Sequence, residues 1–181
     1  VGTLPYGSAV SPDGTFAYAT NAGDDSVAVI STATNTVVAT IGVGNTPADV
    51  TFTPDGAYAY VTDAISDSVT VINTGTRTVV TTITDITNPV AVSISPDGAR
   101  AYVVNMSAHT VTVLDTTTKA VVTTIGVGQN PHDIALSGDG SRAYVTNHFG
   151  NTLTVIDTAT NSVIATLATG AYPERVAISP D

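Results

Sequence analysis

Five prolines recur every 42 residues, and the side chains best suited to chemistry stand one or two residues after four of them. They are Tyr6, Asp49, His132, Asp133, Glu174 and Arg175. His132, with Asp133 and Asp49 beside it, could act as a general base or a metal ligand, and Arg175 could hold an anion. The five prolines hold equivalent positions in the repeat. Whether these side chains lie close together therefore depends on how the repeats are arranged in space.

The elements that would position these residues form a strict repeat. A Pro-Asp-Gly turn and its variants begin at Pro12, Pro54, Pro96, Gly138 and Pro180, 42 residues apart. A segment containing Tyr18, Tyr60, Tyr102 or Tyr144 follows each of the first four turns at the same step. A residue that recurs in every copy indicates a structural role. We therefore interpret these Asp residues as turn formers and the Tyr residues as packing residues.

Each repeat predicts four short strands, A to D. Val and Thr dominate the strand positions, and no segment has the spacing of an amphipathic helix. Each opening proline stands before strand A, and the Pro-Asp-Gly turn closes a hairpin from strand A to strand B. The copies cover residues 5–46, 47–88, 89–130 and 131–172, and residues 173–181 begin a fifth.

Four-stranded units of about 40 residues that are apolar on both faces are expected to stack as propeller blades. The sequence therefore predicts an all-β fold. It is a β-propeller of four four-stranded blades of 42 residues each, plus one extra innermost strand from Glu174 to Ser179. We expect residues 1–181 to form one arc, which either belongs to a larger propeller or closes a ring as a homodimer. Because the chain starts at Val1 and stops in its own turn at Asp181, we favour a piece of a longer protein.

The repeat resembles a known family. The run from Pro131 to Asp157, which contains Ala-Tyr-Val-Thr-Asn ending at Asn147, is similar to the YVTN family of β-propeller repeats. The resemblance covers essentially the whole chain, with departures at Ala19, Asp63 and Val104. It implies a propeller with an extracellular or cell-envelope location in a prokaryote, and no single activity.

In propellers strand A lies nearest the central channel, so the six residues named first are expected to ring one mouth of it and to bind a ligand. The alternative is that a hydrated mouth simply tolerates polar residues. We predict no catalytic residue, metal site or cofactor. His109 and His148 fall in the loops between strands B and C and are interpreted as solvated. Asp24 and Asp25 in the first such loop could help bind Ca²⁺, although turn formation explains them better.

Composition excludes several classes of partner. The net charge is −10, and the five basic residues are scattered, which argues against binding nucleic acid or an anionic membrane surface. Cysteine is absent, so no disulfide can form. No apolar run is long enough to span a membrane as a helix.

These observations favour a non-enzymatic scaffold or binding and adhesion module of a secreted or cell-surface protein. The alternative is a fragment of a lactonase-, lyase- or quinoprotein-like propeller enzyme, with His132, Asp133 and Asp49 at the channel mouth. A plain structural spacer is a third possibility. Specific function is expected where the copies disagree, at His132-Asp133, Glu174-Arg175 and the loops between strands B and C.

Overall fold

The computed structural model describes residues 1–179, and these contain sixteen strands and no helix. Blade 1 comprises β1 (Pro5–Val10), β2 (Phe16–Asn21), β3 (Ser26–Ser31) and β4 (Thr36–Gly42). Blade 2 comprises β5 (Pro47–Phe52), β6 (Tyr58–Asp63), β7 (Ser68–Asn73) and β8 (Thr78–Ile83). Blade 3 comprises β9 (Pro89–Ile94), β10 (Arg100–Asn105), β11 (Thr110–Asp115) and β12 (Val121–Gly126). Blade 4 comprises β13 (Pro131–Leu136), β14 (Arg142–Asn147), β15 (Thr152–Asp157) and β16 (Ser162–Ala168).

Each blade is one antiparallel sheet whose strands are paired in chain order. In blades 1, 2 and 4 the pairing register of the opening strand shifts near its proline, as between Pro47 and Asp49 in β5. The opening proline is the first residue of its strand, a position where a missing N–H is tolerated. The prediction of an all-β propeller fold with four four-stranded blades is confirmed.

The Pro-Asp-Gly turn repeats the same bonds in each blade. In blade 3, Asp97 Oδ1 accepts hydrogen bonds from Ser95 Oγ at 2.5 Å and from the Ala99 backbone N–H at 2.9 Å. Gly98 has a φ of 74°, in the left-handed region that glycine adopts without strain. The serine hydroxyl bond and the backbone bond lower the pKa of the Asp97 carboxyl.

Two compact units divide the chain, residues 1–89 and 90–181. In the first, Tyr18, Val29 and Phe52 belong to one buried apolar cluster, with the Tyr18 and Phe52 rings edge to face at 4.9 Å. In the second, Tyr102 and Ile134 belong to the corresponding cluster. Each cluster contains residues from two consecutive blades. The two blades together bury apolar side chains that a single blade could not bury alone.

The extra innermost strand is a correction. Residues 174–179 follow β16 without being assigned to any strand. Each opening strand that the structure describes in blades 1, 2 and 4 pairs with strand B of its own blade. Residues 174–179 instead contact blade 4 through the Glu174 carbonyl oxygen and the Val176 backbone N–H. The fifth turn at Pro180-Asp181 lies outside the described residues.

Candidate functional site

In the first unit, the predicted site residues are Tyr6 on β1 and Asp49 on β5. Tyr6 is exposed and Asp49 is half-buried. The Asp49 backbone N–H donates to Thr62 Oγ1 at 2.9 Å, and Asp49 Oδ1 accepts from the Val50 backbone N–H at 2.9 Å. The β1 and β5 backbones approach closely, since a Cβ on Gly7 would lie 2.4 Å from the Ala48 carbonyl oxygen.

In the second unit, the structure brings the residues after Tyr172 against blade 4. The Val176 backbone N–H donates to Asp133 Oδ2 at 3.0 Å, and Thr146 Oγ1 donates to the Glu174 carbonyl oxygen at 3.0 Å. The side chains of Glu174 and Arg175 are exposed. Asp133 therefore fastens this segment to the blade, which is a structural role for one of the predicted site residues.

Blade 4 also carries a group of rings that the sequence did not predict. We call it the aromatic cluster, and it consists of His132, His148, Phe149 and Tyr172. The His148 ring centroid lies 5.8 Å from that of His132, 5.0 Å from Phe149 and 5.2 Å from Tyr172. The Phe149 and Tyr172 rings meet edge to face at 6.3 Å, and both side chains are exposed. The expectation that His148 is a solvated loop residue is wrong, because its ring is half-buried against three others.

Two buried nitrogen atoms distinguish this cluster from the rest of the second unit. His132 Nδ1 and His148 Nδ1 are shielded from solvent, and neither has a hydrogen-bond partner among the described residues. Asn161 Oδ1, in the turn before β16, is also unpartnered, as are the Oδ1 atoms of Asp63, Asn105 and Asn147, which occupy one repeat position in three blades. An unpartnered atom that recurs belongs to the fold, whereas the two histidine nitrogens are specific to blade 4.

The loops between strands B and C contain a repeated bond that explains most of their polar residues. Asp25, Asp67, His109 and Asn151 have positive φ values, and each accepts a hydrogen bond from a backbone N–H 21 residues later. In blade 3, the Asn130 backbone N–H donates to His109 Nδ1 at 3.0 Å, so that nitrogen is unprotonated. It cannot then also donate to the Met106 carbonyl oxygen at 3.1 Å. Asp25 is thus a turn residue, as interpreted.

Blade 2 holds a buried carboxylate. Asp63 is fully buried, and its Oδ2 accepts hydrogen bonds from Thr70 Oγ1 at 2.6 Å and Ser68 Oγ at 3.3 Å. Burial raises the pKa of Asp63 to about 6, although the two hydroxyl bonds oppose the shift. The other blades place Asn21, Asn105 and Asn147 here, and their amides donate to the neighbouring hydroxyls instead.

The aromatic cluster could have been predicted from the positions at which blade 4 differs from the other repeats. At the position of His148 the other blades have Ala22, Ala64 and Met106, and at the position of Phe149 they have Gly23, Ile65 and Ser107. Tyr172 replaces Leu4, Thr46, Asn88 and Asn130. The loops between strands B and C were expected to carry specific function. The 42-residue spacing alone could not show that residues 132, 148 and 172 lie close together.

The chain is similar to proteins with the same repeated-blade fold. Residues 9–174 match the family described as Choice-of-anchor I domain, and the chain therefore belongs to that family. Such an anchor domain suggests a cell-surface or secreted module. The family and the solved structures below support a β-propeller repeat protein. No curated protein sequence matches the chain. The described residues 1–179 contain no helix long and apolar enough to cross a membrane.

Several solved structures share the fold. Hydrazine synthase from Kuenenia stuttgartiensis is 29% identical with a TM-score of 0.85, over 90% of this chain and 48% of that chain. A protein of unknown function from Desulfotomaculum acetoxidans DSM 771 is 21% identical with a TM-score of 0.90, over 99% of this chain and 61% of that chain. A candidate 6-phosphogluconolactonase from Bacteroides uniformis ATCC 8492 is 19% identical with a TM-score of 0.80, over 91% and 55% of the two chains. The chain thus spans about half to three fifths of the length of these structures.

Proposed function

We propose that this chain is a non-enzymatic binding or adhesion module of a secreted or cell-envelope protein in a prokaryote, and that its ligand docks on the aromatic cluster. The observation that carries the proposal is the exposure of Phe149 and Tyr172, 61% each, while both rings contact the half-buried His148 ring. Exposed rings held in fixed positions provide large contact area at a low entropic cost, which is why Tyr is enriched at binding surfaces.

The surroundings of the two rings support a rigid site. Tyr172 is held by its backbone N–H, which donates to Asn151 Oδ1 at 2.9 Å. Phe149 is the second residue after β14, and the glycine after it is packed tightly, since a Cβ on Gly150 would lie 3.2 Å from Asn147 Cβ and the Gln129 backbone nitrogen. A ligand with an apolar face, such as a sugar ring in a surface polysaccharide, can stack on such rings without reorganising the loop.

The test is binding to an immobilised panel of glycans by the chain and two variants. We expect the Phe149→Ala/Tyr172→Ala variant to lose binding by at least tenfold. The matched control is Ile65→Ala, because Ile65 occupies the position of Phe149 in blade 2 and is equally exposed. Glycan binding that survives the double substitution would contradict the proposed site. An absence of binding to every glycan would reject saccharides as the ligand class.

The alternative of a lactonase-, lyase- or quinoprotein-like enzyme is less well supported. It needs Asp133 as a free acid or base beside His132, but Asp133 Oδ2 accepts the backbone bond from Val176. The similarity to the candidate lactonase concerns the fold alone. That Tyr6, Asp49, His132, Asp133, Glu174 and Arg175 surround one channel mouth stays a prediction, as do the single arc over residues 1–181 and the specific relationship to the YVTN family.

We also propose that the terminal blade faces pair with further blades, supplied by a second copy or by more repeats. Tyr6 on β1 is 61% exposed, whereas Ala48 at the same position of β5 is 8% exposed. Leu167 on β16 is 50% exposed, whereas Ile125 at the same position of β12 is 6% exposed. Measuring the mass in solution tests the homodimer: twice 18.2 kDa supports it, and 18.2 kDa at high concentration rejects it.

A further inference from the structure

His132 and His148 form a pair of imidazoles within the second unit. His132 lies on β13, His148 directly follows β14, and their ring centroids are 5.8 Å apart with an angle of 36° between the planes. We propose that the two side chains together bind a divalent transition-metal ion of the class that prefers imidazole, such as Zn²⁺, Ni²⁺ or Cu²⁺. This inference does not depend on which ligand stacks on Phe149 and Tyr172.

The separation of the rings fits one shared ion. A metal bound to an imidazole nitrogen at about 2.0–2.1 Å lies roughly 3.2 Å from the centre of that ring. Two such rings at a ligand angle between tetrahedral and linear have centroids about 5 to 6.5 Å apart. The observed 5.8 Å lies inside this range.

The two nitrogens lack any other role in the described part of the chain. Both Nδ1 atoms are shielded from solvent without a hydrogen-bond partner there, and a buried unpartnered polar atom calls for an explanation such as an ion. Ring packing alone explains the contact between the imidazoles but leaves both nitrogens unsatisfied. The third histidine differs, because His109 Nδ1 accepts the Asn130 backbone N–H.

The surroundings indicate which ions the pair would select. Imidazole suits Zn²⁺, Ni²⁺ and Cu²⁺, whereas Ca²⁺ and Mg²⁺ require oxygen ligands. Within residues 1–179 no group of three or more His, Cys, Asp or Glu side chains converges, and Asp133 is already bonded to Val176. The described residues offer only two side-chain ligands, so the ion is expected to exchange readily. The net charge of −10 favours the approach of a cation.

The experiment is a titration of the full chain with Zn²⁺, followed by calorimetry and by NMR of the histidine ring nitrogens. We expect one ion per chain and shifts of the His132 and His148 ring signals. His132→Val and His148→Ala should each weaken Zn²⁺ binding at least tenfold. Both replacements are residues that other blades carry at these positions, Val90 and Ala22. The matched control, His109→Asn, should bind as the wild type does.

Two results would overturn the proposal. One is wild-type Zn²⁺ affinity in His148→Ala or His132→Val. The other is a wild-type NMR titration in which the ring signals of His132 and His148 do not move. The second result is decisive even if a variant folds poorly, because it needs no substitution. Thermal unfolding gives a further check, since Zn²⁺ should raise the midpoint of the wild type and of His109→Asn only.

Discussion

Blades 2 and 4 share their turns and most strand pairings, yet they depart from the repeat in opposite ways. Blade 2 replaces the buried asparagine at the end of strand B with Asp63, which has no solvent exposure. Blade 4 keeps Asn147 and instead places His148, Phe149 and Tyr172 where blade 2 has Ala64, Ile65 and Asn88. The first departure is internal and changes stability. The second lies at the surface and changes what the blade can contact.

The difference between blades 2 and 4 distinguishes residues that stabilise the fold from residues that are available to bind a ligand. Bonds that recur every 42 residues, such as those of the turn aspartates, are structural. A side chain found in one blade alone must either be tolerated or serve a function. Substituting the same repeat position in blades 2 and 4 should therefore show whether a residue stabilises the fold or binds a ligand.

The largest effect is expected at the shared tyrosine of strand B. Tyr60 in blade 2 is fully buried, and Tyr60→Ala should lower the free energy of unfolding by about 3–5 kcal/mol. Tyr144, its counterpart in blade 4, is only half-buried, so Tyr144→Ala should cost less. Chemical denaturation of both variants measures the difference. Equal losses would show that burial does not decide the cost.

The second effect concerns Asp63. Its pKa is about 6 in the folded chain against an ordinary value of 3.8, so the folded state binds the proton more tightly. The contribution to stability is present below pH 3.8 and is lost as the pH rises to about 6. Above that the deficit is at most about 3 kcal/mol. Asp63→Asn should therefore stabilise the chain at neutral pH.

The matched control for Asp63 is Asn147→Asp in blade 4. It creates the same buried carboxylate and should destabilise the chain at neutral pH more than at pH 4. Denaturation of both variants from pH 4 to pH 8 measures the effect. If Asp63→Asn leaves the pH dependence of stability in this window unchanged, the buried carboxylate does not titrate as described.

The third effect is smaller and tests the turn. Gly140 in blade 4 has a φ of 72°, and a side chain in this region costs about 1–2 kcal/mol. An added Cβ would also lie 3.1 Å from Pro96 Cδ, against 3.5 Å from Pro12 Cδ for Gly56 in blade 2. Gly140→Ala should therefore destabilise the chain more than Gly56→Ala. A thermal melt that ranks the two variants the other way would refute this reading of the contacts.

The smallest effect is expected at the surface departure. Phe149→Ala and its blade 2 counterpart Ile65→Ala should each change the free energy of unfolding by less than about 0.5 kcal/mol, because both side chains are exposed. Thermal unfolding of the two variants checks this. A large loss in Phe149→Ala alone would mean that the aromatic cluster is part of the core of blade 4.

Much of the fold follows from the sequence because the period constrains it. Strand D begins at the same repeat position in different blades, at Thr78 in β8 and at Ser162 in β16, 84 residues apart. The fifth opening strand was predicted from periodicity alone, which gives no information on strand pairing, and residues 174–179 are not part of a strand.

The candidate site was predictable only in part. His132 was identified from its place after a proline, but its neighbour His148 was interpreted as solvated. Their positions differ by 16 in the sequence, and their contact depends on the pairing of β13 with β14, which sets Pro131 opposite Asn147. The role of Asp133 was equally hidden, because the bond that it accepts comes from Val176, 43 residues later.

The most direct test of the central claim replaces the aromatic cluster of blade 4 with the residues of blade 2. The variant His148→Ala/Phe149→Ile/Tyr172→Asn keeps every repeated bond of the turn and strands. The measurement is glycan binding and unfolding of the variant beside the wild type. We predict that the free energy of unfolding changes by less than about 1 kcal/mol while glycan binding is lost. Retained glycan binding would show that the aromatic cluster does not bind the ligand. Unfolding of blade 4 would show that the cluster is needed for the stability of the blade.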